Sequence, residues 1–109
     1  MTKTINVARE FSRYPAGRYA KDGPYTGEIF RDKHLIPALG DATAERVVIE
    51  FDGTRGLASS FLEEAFGGLV RRNGFTLGDL KERLELKSSD ESIIHEVWEY
   101  IGEATASIR

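Results

Sequence analysis

Cysteine is absent from the 109 residues, which excludes disulfides, thiolate metal ligands and a cysteine nucleophile. Its absence also leaves no sign of an oxidising compartment. Long apolar runs are missing as well, none approaching the ~18–20 residues of a membrane-spanning helix. The opening MTKTINVARE lacks the apolar stretch of a secretory signal. A soluble, cytoplasmic protein with no membrane association is therefore expected. Positive charge is not in excess: the net charge is −3, which gives no electrostatic reason for general binding to nucleic acid. No internal repeat, low-complexity linker, Walker-type glycine loop or nucleophile elbow occurs. What is present, 40% apolar and 30% charged residues, fits one globular domain over residues 1–109 with a single modest core.

Along the chain, TINVA alternates apolar Ile5 and Val7 with polar neighbours, the mark of a half-buried strand. The segment SRYPAGRYAKDGPYTG is rich in glycine and proline, with a turn signal at Asp22-Gly23, and reads as a hairpin or an ordered loop. A helix follows, with Thr26 as N-cap, and is expected to end or kink near Ile36 because Pro37 would clash with the carbonyl of Lys33. RVVIEF is the strongest strand, nearly continuous in apolar residues, as expected of a strand covered on both faces. Further on, Asn73-Gly74 stops a helix, Thr76 and Asp79 have capping-box spacing, and LELK forms a short strand. The last helix carries Ile93, Ile94, Val97, Trp98 and Ile101 at helical spacing, so Trp98 is expected in the core rather than on a dimer face. Strands separated by helices imply an α/β class with a mainly parallel sheet.

The stretch GLASSFLEEAFGGL is the most informative. With Ser60 as N-cap, Glu63 falls at the third helical position and completes a capping box. At about 100° per residue, Phe61, Leu62, Ala65, Phe66, Leu69 and Val70 gather on a core side. Ser60, Glu64, Gly67, Gly68 and Arg71 gather on the other. Each glycine costs roughly 1 kcal/mol against alanine inside a helix. Two explanations are open: the strip is a docking face for a partner protein, or the glycines pack under a neighbouring loop of the same chain. The serines are likewise either caps or phosphoacceptors. A phosphoryl group would add about −1.5 to −2 charges beside Glu63 and Glu64.

Other groupings are plainer. Residues 13–31 collect Arg13, Arg18, Tyr19 and Arg31 among further basic and aromatic residues, either an ordered loop whose arginines are solvated or paired to Asp22, Glu28 or Asp32, or a site for a nucleotide or other anionic small molecule. His34 and His95 lack ligand spacing, so no metal or other cofactor is expected. No base and orienting acid accompany Ser60, so no catalytic residue is assigned and the chain is read as a non-enzyme.

FSRYPAGRYAKDGPYTGEIFRDKHLIPAL and VVIEFDGTRGLASSFLEEAFGGLVRR resemble the bacterial STAS-like domain-of-unknown-function family. The strand, paired serines and helix are also similar, more distantly, to STAS domains of anti-sigma-factor antagonists. The resemblance implies a STAS-like α/β fold, a small mixed, mainly parallel sheet of about four strands packed with three or more helices. It further implies a regulatory, signalling role through binding a partner protein, a histidine-kinase-like ATPase being the partner class. Ser59 and Ser60 stand where the antagonist motif has its two serines, Ser60 matching the usual phosphoacceptor. Ala58 replaces the motif aspartate and Phe61 its glycine, so the resemblance carries partner binding further than phosphorylation.

Overall fold

The structure is a computed structural model and describes residues 1–108. Three strands, β1 (Thr2–Asn6), β2 (Arg46–Glu50) and β3 (Leu84–Lys87), form a parallel sheet in the order β1–β2–β3. Five helices accompany them: α1 (Val7–Glu10), α2 (residues 27–39), α3 (residues 59–71), α4 (Leu77–Arg83) and α5 (Glu91–Ser107). Parallel neighbours need long crossovers. Here β1 reaches β2 through α2, and β2 reaches β3 through α3 and α4. The expected α/β class is present, with three strands rather than about four, all parallel rather than mixed.

Side chains alternate across a sheet, and the register sets Ile5, Ile49 and Leu86 abreast, with Val47 beside Leu84. All five belong to the core beneath the helices. The opposite face carries Thr4, Val48 and Glu85 abreast and has Thr2, Arg46 and Lys87 exposed. β2 was expected to be covered on both faces; only one carries helices. Its near-continuous apolar run arises because Val48 is buried among the polar side chains of the open face.

Helix α3 lies between α2 and α5, in contact with both. Its predicted apolar side, Phe61, Leu62, Ala65, Phe66, Leu69 and Val70, is buried throughout. Phe30 of α2 packs on Phe61 and Phe66 at centroid distances of 5.5 and 6.4 Å. Phe51, just past β2, meets Phe66 at 5.9 Å. Such pairs each add about 0.5–1.5 kcal/mol beyond area burial.

Thr26 caps α2 as expected, its hydroxyl accepting from the Ile29 N–H. The helix does not stop at Ile36. Its turn over Arg31–Leu35 widens, with the Ile36 N–H bonding to the Arg31 carbonyl five residues back, and helix resumes to Leu39. The wider turn accommodates Pro37, which has no N–H to offer and would crowd a regular turn. Arg83 of α4 then closes the end of α2, donating to the carbonyls of Leu39 and Ala44 at 2.6 and 2.7 Å.

Helix α3 begins at Ser59 with Ala58 as its cap and no side-chain cap bond, so the expected Ser60–Glu63 capping box does not form. Glu63 instead receives the guanidinium groups of Arg18 and Arg71, and charge-assisted bonds of this kind outcompete a neutral backbone donor. The Thr76–Asp79 capping box does form. The segment SRYPAGRYAKDGPYTG, residues 12–27, is an ordered loop as far as Tyr25, not a hairpin, and its last two residues open α2. It is closed by a bond from the Ala16 N–H to the Tyr25 carbonyl and backed onto α2 by the Gly27 and Glu28 N–H groups, which bond to Gly17 and Arg18.

Candidate functional site

The middle of the polar side of α3, Glu64, Gly67 and Gly68, faces protein and not solvent. Glu64 is 1% exposed and Arg31 of α2 is 2% exposed, and they pair at 2.9 Å. Arg31 also donates to the Glu64 backbone carbonyl. Around this buried pair stand Arg71 and Arg72, 3.2 and 3.4 Å from the Glu64 carboxylate, and Arg18 at 3.8 Å. Arg18 and Arg71 share Glu63, and the Arg72 guanidinium lies 5.9 Å from the Tyr19 ring centre. Burial alone would push the Glu63 carboxyl up, but the hydrogen bonds and charges of Arg71 and Arg18 outweigh it and hold it below its ordinary value.

The docking reading of Gly67 and Gly68 is corrected by this arrangement. Both are buried. A Cβ on Gly68 would overlap the Arg31 guanidinium, and one on Gly67 would lie 2.7 Å from Glu63 Oε2 and 2.9 Å from Arg71 Nη1. The glycines make room for arginines of the same chain. Glu64 is likewise buried, leaving only Arg71 of that predicted strip exposed. The helix wheel misplaced them because it supplies one buried side, whereas α3 is flanked by two helices. A third glycine is as tightly enclosed: a Cβ on Gly27 would lie 2.5 Å from the Phe61 carbonyl oxygen and 2.8 Å from the Ala65 nitrogen. Gly27 therefore sets the close approach of α2 to α3. Small residues on both helices were its signal, legible only once the two were known to touch.

The residues proposed for anion binding separate. Arg18 and Arg31 are held by Glu63 and Glu64, and Tyr19 lies against Arg72. Arg13 is elsewhere, in the loop whose carbonyl accepts the Arg55 N–H at 2.7 Å. The structure thus merges most of the two predicted sites into one internally paired cluster, and leaves Arg13 outside it.

The two serines also differ. Ser59 is exposed, and its hydroxyl donates to Glu96 of α5 at 2.8 Å. The same carboxylate oxygen accepts from the Tyr100 hydroxyl at 2.6 Å, and this bond raises the Tyr100 pKa. Ser60 is half-buried. Next to Ser59, at the carboxyl ends of β2 and β3, an open cleft of about 430 Å³ is lined by Asp52, Gly56, Leu57, Ser89, Ile93 and Glu96 among others. Asp52 bridges its walls, accepting from the Ser89 N–H and hydroxyl at 2.8 and 2.9 Å. The histidines stand apart. His34 is stacked on Phe30 at 5.4 Å, and His95 is exposed near Glu99.

A parallel sheet with helices on one face, and the helix after its middle strand held between two others, defines a small STAS-like α/β domain. The chain belongs to the family described as the STAS-like domain of unknown function (DUF4325), whose model matches residues 26–93. No curated protein and no solved structure matches it. Among the described residues no helix is long and apolar enough to cross a membrane.

Proposed function

We propose that this domain is a non-enzymatic regulatory module that binds a partner protein at the surface where α3 starts beside α5, with Ser59 as its switch. The observation that carries this reading is the Ser59–Glu96 bond, an exposed hydroxyl on the first residue of α3 tied to the C-terminal helix at 2.8 Å. A phosphoryl group on Ser59 would remove the donated proton and set about −1.5 to −2 charges against the Glu96 carboxylate. The clasp between the helices would open and the adjoining cleft, already lined by Asp52, Asp90 and Glu96, would become more strongly negative, while the apolar side of α3 stayed buried. Glu64, Gly67 and Gly68 have no part in this surface. Ser60, which matches the usual acceptor of the antagonist motif, is the less accessible hydroxyl.

A histidine-kinase-like ATPase is the partner class that the antagonist resemblance suggests. The test is affinity capture from the source cell with wild type, Ser59→Ala, Ser59→Asp and Ser60→Ala, followed by binding measurements on the captured ATPase. Ser59→Asp should abolish capture of an ATPase that wild type and Ser60→Ala retain. Equal binding by wild type and Ser59→Asp would sink the switch, and failure of all variants to retain any protein would sink the module itself.

A further inference from the structure

A second cleft, of about 540 Å³, lies at the carboxyl ends of β1 and β2 on the other side of the Asp52–Arg55 loop. Arg9, Arg13 and Arg55 line it, together with Asn6, Gly53 and Thr54. Among the described residues these three arginine side chains have no carboxylate and no hydrogen-bond acceptor. Every other described arginine has one. Arg18, Arg31, Arg71 and Arg72 are taken by Glu63 and Glu64, Arg46 lies near Glu85, and Arg83 caps α2. The unpaired guanidiniums are thus gathered in one cleft of a chain whose net charge is −3.

Asp52 is the carboxylate that lines this cleft, and its Oδ1 is engaged by Ser89 on the far side of the loop. Glu10 is close by and accepts the Asn6 N–H at 2.7 Å. The walls are held by backbone. The Arg55 N–H donates to the Arg13 carbonyl at 2.7 Å, and the Thr54 hydroxyl closes its turn on the Phe51 carbonyl at 2.7 Å. Gly53, at φ 97°, brings the loop so near α1 that a Cβ would lie 3.0 Å from that of Ala8. Like charges held together without counter-ions repel, and an anion seated among them relieves that repulsion.

From this geometry we infer that the β1–β2 cleft binds a phosphate-bearing small molecule, with Arg9, Arg13 and Arg55 as its ligands. Guanidinium forks match phosphate oxygens bidentately. The cleft volume lies in the range of small-molecule sites, and the carboxyl ends of parallel strands are where α/β sheets seat their ligands. This site does not depend on the proposed Ser59 switch. It also differs from the predicted anion loop, since Arg18 and Arg31 are excluded and Arg9 and Arg55 enter.

Inorganic pyrophosphate is the probe, titrated calorimetrically into the full chain at low salt. Saturable binding is expected, weakened about tenfold or more by Arg13→Gln and by Arg55→Gln, and unchanged by Arg46→Gln on the open sheet face. Pyrophosphate should raise the Tm of wild type and leave that of the two cleft variants unmoved. All three changed side chains are exposed, so the unliganded Tm should be the same throughout. No saturable heat up to about 5 mM, or equal binding by wild type and both cleft variants, overturns the assignment. Retention of a single-stranded oligonucleotide without pyrophosphate binding overturns it too.

Discussion

Arg31 and Glu64, 33 positions apart in the chain, meet 2.9 Å from each other with almost no exposure to water. The pair joins the wide turn of α2 to a second such turn in α3, Glu63–Gly67, and Gly68 leaves the space in which the guanidinium lies. Removing Glu64 leaves the Arg31 guanidinium buried without its carboxylate, whereas Glu64 keeps Arg71 and Arg72 when Arg31 is removed. Glu64→Leu should therefore cost about 3–5 kcal/mol, read from urea unfolding. The double variant Arg31→Met/Glu64→Leu should recover most of that loss. If the single variant costs no more than an exposed ion pair, the cluster is not what holds α2 on α3.

The glycines separate by what a methyl group would strike. Gly27→Ala meets the backbone of α3 and Gly68→Ala meets a buried, immobilised guanidinium, so both should destabilise by about 1–3 kcal/mol through overpacking. Gly67→Ala meets only the far ends of Glu63 and Arg71. Its helix-propensity gain of about 1 kcal/mol should offset most of the disturbance. Thermal melts of the three variants rank them, and a Gly68→Ala protein more stable than wild type would contradict the packing.

Ser60→Ala tests the corrected start of α3. A capping serine would cost about 0.5–2 kcal/mol on replacement, but Ser60 caps nothing, so the change should stay below about 0.5 kcal/mol. Thr76→Ala, which removes a cap that does form, should show the full cost and serves as the comparison.

Acid should loosen the Glu63 centre. Its folded-state pKa lies below its ordinary value of 4.5. The stabilisation is therefore complete above that value and is lost as pH falls through the lowered one. Glu63→Gln should flatten the dependence of unfolding midpoint on pH between about 6 and about 3. Asp52 and Asp79, lowered chiefly by backbone hydrogen bonds from Ser89 and Thr76, keep part of the slope in that variant. An unchanged slope would mean that Arg18 and Arg71 do not hold Glu63 in solution.

Arg83 spans two carbonyls that otherwise lack a side-chain donor. Arg83→Lys cannot reach both with a single ammonium. A loss of about 1–3 kcal/mol is expected, with faster amide exchange at the end of α2 as the local signature.

Much of the fold was legible in the chain, because its signals are local. The Thr26 and Thr76 caps, the Asn73-Gly74 stop, the three strands and the stripe of α5 each depend on residues within a turn or two of one another. The apolar side of α3 was readable for the same reason, since helical spacing alone gathers Phe61, Phe66 and Leu69. At the candidate sites this reading reached single residues, Ser59 and Arg13, without their company. Nothing near Arg13 in sequence points to Arg55, and nothing near Ser59 points to Glu96.

Sequence by itself therefore determined the class of fold, most of the helix and strand positions and the core stripe, because periodicity and capping act between neighbours; it ran the first strand on through Val7, which opens α1. Only the tertiary structure decided where the polar residues went. Glu64 and Gly68 look solvent-facing on an isolated helix, yet a second helix brings Arg31 over them. The burial of a charge is a property of the partner that arrives from elsewhere in the chain. The same docking of distant segments pairs most of the arginines and leaves Arg9, Arg13 and Arg55 lining one cleft.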